Sequence, residues 1–371
     1  MKIGKIKGIV ISLHISTLLI VGLVGFYAAD FYAILVPGSN IFDLVIVGLI
    51  NGLIMLFSIL IHELTHSLIA QKYGLKVSEI DLYLFGGVSK IEQEPNTPRS
   101  DFIISIFGPI SSLLIGVIFL GVLYLIPITL PPFLRVTFFY SGISNIGLGL
   151  FNLIPAYPMD CGRALRAILW NKRHDLLSAT KTASKVGSFI AYGLMAYGFI
   201  SMFFLGFFNG LWLVIIASFL NNQSRHAYYQ TFNELTLSKL RAKQLVRIAD
   251  VAIPFNKTVS EAITNYFIPY KKVYFPVIYN GNVVGIIHLE DIKKVPVNQR
   301  NEIIVGYLMK KVSQFPTLSQ DETGKNVLMK LNQMRERPHI IIVKDINKNK
   351  VIGYIGEDDI LTSLKFLQNR I

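Results

Sequence analysis

The residues best suited to chemistry are His62-Glu63-Leu64-Thr65-His66. On a helix, positions i and i+4 project from one face about a turn apart, so both imidazoles can reach one zinc ion with Glu63 beside it. That spacing is a metallopeptidase pattern, with Glu63 as general base. A catalytic zinc takes three protein ligands and keeps one position open, so a third donor is needed. The candidate is Asp160, in Phe151-Asn152-Leu153-Ile154-Pro155-Ala156-Tyr157-Pro158-Met159-Asp160-Cys161-Gly162. Pro155 and Pro158 cannot continue a helix's hydrogen bonding, so the chain breaks there and turns Asp160 inward. A second reading stands beside it, Asp160 as the cap of a helix opening near Gly162. Asn152 can donate to a carbonyl oxygen as negative charge grows on it, or it can bridge helices. Asn145 and His14 read as helix-packing groups, and Cys161 as a small buried residue rather than a ligand. His174, His226 and His339 lack ligand spacing.

The elements that hold these groups must be sought in a membrane. Of 371 residues, 52% are hydrophobic and 16% charged, and mean hydropathy is +0.50, whereas soluble domains carry roughly a quarter charged residues. A single water-soluble globule is excluded. Apolar runs fill the first 220 positions and place six membrane helices at about 8–28, 43–70, 101–126, 135–153, 186–203 and 205–221. Lys2, Lys5 and Lys7, then Lys72, Lys76, Lys90 and Arg99, then Arg163, Arg166, Lys172, Arg173, Lys181 and Lys185 fall in alternate connections. By the positive-inside rule both termini are cytoplasmic, in a multi-pass protein of the cell membrane. His62, His66 and Asp160 then share a depth in the cytoplasmic half. The net charge of +13 belongs to loops facing anionic membrane lipid and not to a nucleic-acid surface. The first apolar run reads as a retained helix without a cleavage site. The single cysteine excludes an intrachain disulfide.

Between the second and third spans, residues 76–91 read as strand–turn–strand, with Gly86-Gly87 at the bend. Such a hairpin either lines a site or lies on the membrane surface. The domain division is 1–222 in the membrane, a helical-looking linker 223–245, and a soluble α/β part 246–371. Within the last, Val283–Ile292 is echoed by Val351–Ile360, a separation of 68 residues, which implies two copies of one unit.

Together, the His62–His66 motif, Gly86-Gly87, Gly108-Pro109 and Asn152-x-x-Pro155-x-x-Pro158-x-Asp160 resemble the site-2 protease family of intramembrane zinc metalloproteases over about residues 8–220. The resemblance implies one zinc per chain on His62, His66 and Asp160, catalysis by Glu63, and Asn152 positioning substrate or stabilising the oxyanion. It also implies transmembrane protein substrates. Members usually show Asp-Gly where this chain has Asp160-Cys161. The soluble half resembles a tandem pair of cystathionine-β-synthase-type (CBS) domains. That resemblance implies regulation, association into a homodimer, and an adenine nucleotide whose ribose hydroxyls meet Asp291 and Asp359. His288 and Gly356 stand where Ser or Thr is usual. A channel or transporter gated by nucleotide, with the same His, Glu and Asp residues as an ion path, is the other reading of the sequence.

Overall fold

The computed structural model describes the chain from Met1 to Gln368 apart from residues 84–85, 92–94, 126–129, 205, 249–250, 335–338 and 346–349. Its contacts divide it into two compact units, Met1–Thr231 and Phe232–Ile371.

The first unit begins with a hairpin, β1 (Lys2–Ile6) and β2 (Ile9–Leu13). Its two turn residues, Lys7 and Gly8, both have positive φ, +46° and +90°, as the tight turn matching strand twist requires. Two long helices follow, α1 (Thr17–Leu35) and α2 (Ile41–Lys72), the second opened by Asn40, whose side chain accepts from Asp43 N at 2.9 Å. A second hairpin, β3 (Val77–Tyr83) and β4 (Gly86–Ile91), precedes α3 (Pro98–Leu125), α4 (Pro132–Asn152), α5 (Asp160–Arg173), α6 (Leu176–Phe204) and α7 (Phe207–Lys239). Helices α1, α2, α3 and α6 are long and apolar enough to cross a membrane. They make this a membrane protein with several long apolar helices, as expected.

Three expectations are corrected. Residues 9–13, assigned to the first span, form β2, which pairs in parallel with β3 from Val10↔Glu79 to Leu13↔Leu82. The β-branched run Ile9-Val10-Ile11 suits a strand, and Ile9 packs in a core with Ile59, Ile80, Leu82 and Ile104. His14 accordingly lies outside α1, exposed, with Nδ1 on Ser16 Oγ at 2.8 Å, and packs no helices together. Gly86 and Gly87 do not make the bend: they pair with Tyr83 and Leu82 and open β4, and the two residues before them lie outside the described residues. The sheet runs β1-β2-β3-β4. On it, Ser12 and Lys90 hydrogen-bond to Glu79 and hold its carboxyl below the ordinary carboxylate value. Asp81 and Glu79 in turn hold the Lys90 ammonium above its usual value.

The second unit contains the end of α7 and then α8 (Ala242–Leu245), β5 (Arg247–Ile248), β6 (Ile253–Pro254), α9 (Val259–Ala262), α10 (Ile268–Tyr270), β7 (Tyr274–Tyr279), β8 (Asn282–His288) and α11 (Leu289–Lys293). The pattern recurs as α12 (Val305–Leu308), β9 (Lys310–Lys311), β10 (Thr317–Ser319), α13 (Gly324–Asn332), β11 (Ile340–Asp345), β12 (Lys350–Gly356) and α14 (Glu357–Gln368). The copies exchange their opening strands. β5 pairs with β12 at Gly353↔Ile248, and β9 pairs with β8 at Gly285↔Lys311, so equivalent glycines receive the other copy's strand. Neither sheet is complete without both copies, and Tyr274, Ile286, Phe315, Ile340, Ile342 and Tyr354 form one shared core.

Candidate metal centre

One face of α3 organises the first unit. Asp101, Ile104, Gly108 and Ser112 follow at helical spacing and meet, in order, α5, His66, both histidines and His62. His66 Nδ1 lies 2.6 Å from the Ile104 carbonyl oxygen. That oxygen can only accept, so Nδ1 carries a proton and Nε2 is the ring atom turned to the centre. There it faces Asp160 Oδ2 at 3.2 Å and His62 Nε2 at 3.2 Å. His62 Nε2 lies 3.0 Å from the same carboxylate oxygen, and its Nδ1 is 2.8 Å from Ser112 Oγ. The ligand atoms of His62, His66 and Asp160 all fall within 4.8 Å of one another, and the three residues are only 5%, 5% and 9% exposed.

Two imidazoles and a carboxylate converging away from water are a zinc donor set. Gly108 keeps the space open. A Cβ there would collide with His66 and lie 2.8 Å from His62 Nε2.

A family model described as peptidase family M50 matches residues 51–131, and a CBS domain model matches residues 243–298. The chain is 28% identical over 367 residues to a zinc metalloprotease of Methanocaldococcus jannaschii, MJ0392, covering 99% of this chain and 96% of that one. It is 26% identical over 360 residues to the putative zinc metalloprotease Rip3 of Mycobacterium tuberculosis, covering 96% and 91%. A solved structure, the site-2 protease from Methanocaldococcus jannaschii, shares 31% identity over 94% of its chain and 62% of this one, with a TM-score of 0.43. The chain belongs to the site-2 protease family, peptidase family M50.

It is thus a zinc metalloprotease with a CBS region, and the converged donor set is consistent with its zinc site. Within this site-2 protease the break between α4 and α5 brings Asp160 to the histidines across 98 positions of sequence. Met159 is extended, and Asp160 opens α5. Glu63, one residue along α2, accepts from Ser89 Oγ at 3.1 Å, and Ser89 is 3.0 Å from Ser67 Oγ. This places β4 against the carboxylate, and a Cβ at Gly87 would collide with Glu63.

Asn152 is half-buried at the end of α4, and its amide donates to Leu148 O at 2.9 Å. Asn145 likewise donates to Ser141 O within α4. Cys161 is a free, half-buried thiol. In the second unit Asp291 pairs with Lys294 at 3.1 Å, and Asp359, 5% exposed, accepts from Gly356 N at 2.9 Å at the start of α14.

Sequence reasoning missed a buried ion pair. Asp101, 0% exposed, receives Arg166 Nη2 at 2.8 Å and Nε at 2.9 Å, with Arg163 Nη2 at 3.4 Å. Charge counting sets Arg166 among loop cations, whereas it lies on α5 and is buried. The available signal was the spacing of Arg163 and Arg166, which sets both on one face of a short helix directly after Asp160.

Proposed function

We propose that the chain is an intramembrane zinc endopeptidase that cuts within or near transmembrane segments of protein substrates. The carrying observation is the convergence of His62, His66 and Asp160 with Glu63 alongside. In this reading His62 and His66 supply Nε2 and Asp160 a carboxylate oxygen to the metal. When bound, zinc supplies a Lewis acid for the scissile carbonyl and draws the pKa of the attacking water toward neutrality. Glu63 takes that water's proton on one carboxylate oxygen while Ser89 holds the other, and later passes it to the leaving amine. Asn152 turns from Leu148 to donate to the carbonyl oxygen as its charge grows.

A helical substrate must unwind first, because its own hydrogen bonds cover the scissile carbonyl. β4, the end strand of its sheet among the described residues and packed on Glu63, holds the unwound segment by strand addition. The proposal keeps six spans, with α4 and the apolar part of α7 joining the four most apolar helices, and both termini in the cytoplasm. The membrane peptidase is 1–222, the connector 223–245, and a tandem CBS pair over 246–371 regulates access and joins two chains. An adenine nucleotide between the repeats, with Asp291 and Asp359 on the ribose hydroxyls, completes this part of the proposal.

The experiment is cleavage of a reporter transmembrane helix by the full chain in detergent with zinc. Glu63→Gln is expected to slow cleavage about 10²–10⁴-fold with zinc still bound. Cutting at the parent rate overturns the mechanism.

A further inference from the structure

Helix α7 carries a groove, flanked by cations of α6 and α7, that takes no part in the metal centre. Both change character at one level: Lys181 and Lys185 precede the apolar part of α6, and Asn221-Asn222 end the apolar part of α7. The two transitions meet in space, since a Cβ on Gly187 would lie 2.5 Å from Ser224 Oγ. In a membrane, such a level is the boundary between hydrocarbon and head groups.

A groove of about 490 Å³ opens there, lined by Ile215, Ser218, Phe219, Asn221, Asn222 and Arg225. Ile215, Ser218, Asn222 and Arg225 share one face of α7. That face passes from an apolar side chain through hydroxyl and amide to guanidinium over about 15 Å, at 1.5 Å per residue. Acyl chain, ester region and phosphate follow one another in the same order in a phospholipid.

The cations are placed. Arg225 Nη2 donates to Tyr192 Oη at 3.0 Å, and Lys181 Nζ lies 5.8 Å from the centre of the Tyr228 ring. Lys185 is exposed between Lys181 and Tyr192 on the same stripe of α6. Among the described residues no carboxylate comes within ion-pair reach of these three cations. Asn221 Oδ1 is buried and has no hydrogen-bond partner there. A buried acceptor without a donor is costly, and a head-group hydroxyl would satisfy it.

We propose that this groove binds one anionic phospholipid, with its phosphate on Arg225, Lys185 and Lys181 and a head-group hydroxyl on Asn221. Basic pockets between membrane helices hold acidic lipids in this way.

The test is native mass spectrometry of the full chain titrated with phosphatidylglycerol or phosphatidylcholine. One phosphatidylglycerol is retained in preference to phosphatidylcholine. The double variant Lys185→Gln/Arg225→Gln weakens it about 25-fold, roughly fivefold per charge removed, while Lys185→Arg retains it. Tyr192→Phe removes only the hydroxyl that holds Arg225 and weakens retention about threefold, the effect of one hydrogen bond. It serves where the double variant fails to fold. Millimolar inorganic phosphate leaves the lipid in place. Equal retention of the two lipids, displacement by phosphate, or parent-like retention in the folded double variant or in Tyr192→Phe overturns the proposal, whatever the peptidase assay gives.

Discussion

Two buried carboxylates on neighbouring helices face opposite circumstances. Asp101 on α3 meets Arg166 at 2.8 Å, a permanent cation whose fork matches its geometry. Asp160 on α5 meets two imidazole nitrogens at 3.0 and 3.2 Å, one of them turned to the centre by the Ile104 carbonyl. The first arrangement is closed, with charge and counter-charge both supplied by the chain. The second is open, because two imidazoles and a carboxylate are a donor set for a cation from outside. A closed pair pins α3 to α5, and an open cluster between α2 and α5 becomes a site. Burial alone does not distinguish them; the character of the partner does.

The comparison breaks if the two carboxylates respond alike to removal of their charge. Asp160→Asn abolishes measurable reporter cleavage, yet the thermal midpoint of metal-free protein falls by less than in the Asp101 variant, because neutral imidazoles lose less than a permanent guanidinium when the carboxylate is removed. Asp101→Asn strands Arg166 and costs about 3–5 kcal/mol, read as a lowered midpoint in metal-free protein. Equal loss of midpoint in both variants contradicts the distinction.

Smaller substitutions sharpen the same contrast by touching only the groups around the open cluster. Ser112→Ala removes the hydroxyl at His62 Nδ1 and weakens zinc affinity about 10–100-fold in a competition titration with a chelator. Ser89→Ala frees the Glu63 carboxylate and lowers kcat about tenfold, the worth of a hydrogen bond to a charged group, while metal content stays at the parent level. A loss confined to KM would instead assign Ser89 to substrate binding alone. Glu79→Gln has the smallest effect. The Glu79 carboxyl lies below its ordinary value of 4.5 in the folded sheet, so its contribution is complete above about that pH and is lost as pH falls through the depressed value. Hydrogen exchange of the β2 and β3 amides therefore differs between variant and parent at neutral pH, and the difference closes in acid.

What was legible in the sequence follows from the range of the interactions. His62 and His66 lie four residues apart on one helix, so their convergence is local and readable. Asp160 was readable through Pro155 and Pro158, which force the break that aims it. The duplication in the second unit was readable because Gly285 and Gly353 sit in like surroundings. The exchange of β5 and β9 was not, since strand partners far apart in sequence leave no periodic mark. β2 was hidden for a related reason: Ile9-Val10-Ile11 runs into the apolar residues of α1, and only the distant β3 makes it a strand. The Asp101–Arg166 pair joins positions 65 apart, and charge counting by loops cannot pair them. For Asn152 the position was legible but not the direction of its amide, which backbone competition within α4 decides.

The most direct measurement is zinc stoichiometry with X-ray absorption on the purified full chain, the parent beside His66→Ala and Asp160→Ala. One zinc per chain with two nitrogen and at least one carboxylate oxygen neighbour, lost or markedly weakened in both variants, is the predicted result. Full, unweakened zinc in Asp160→Ala would contradict the account, because the carboxylate would then play no part in holding the metal.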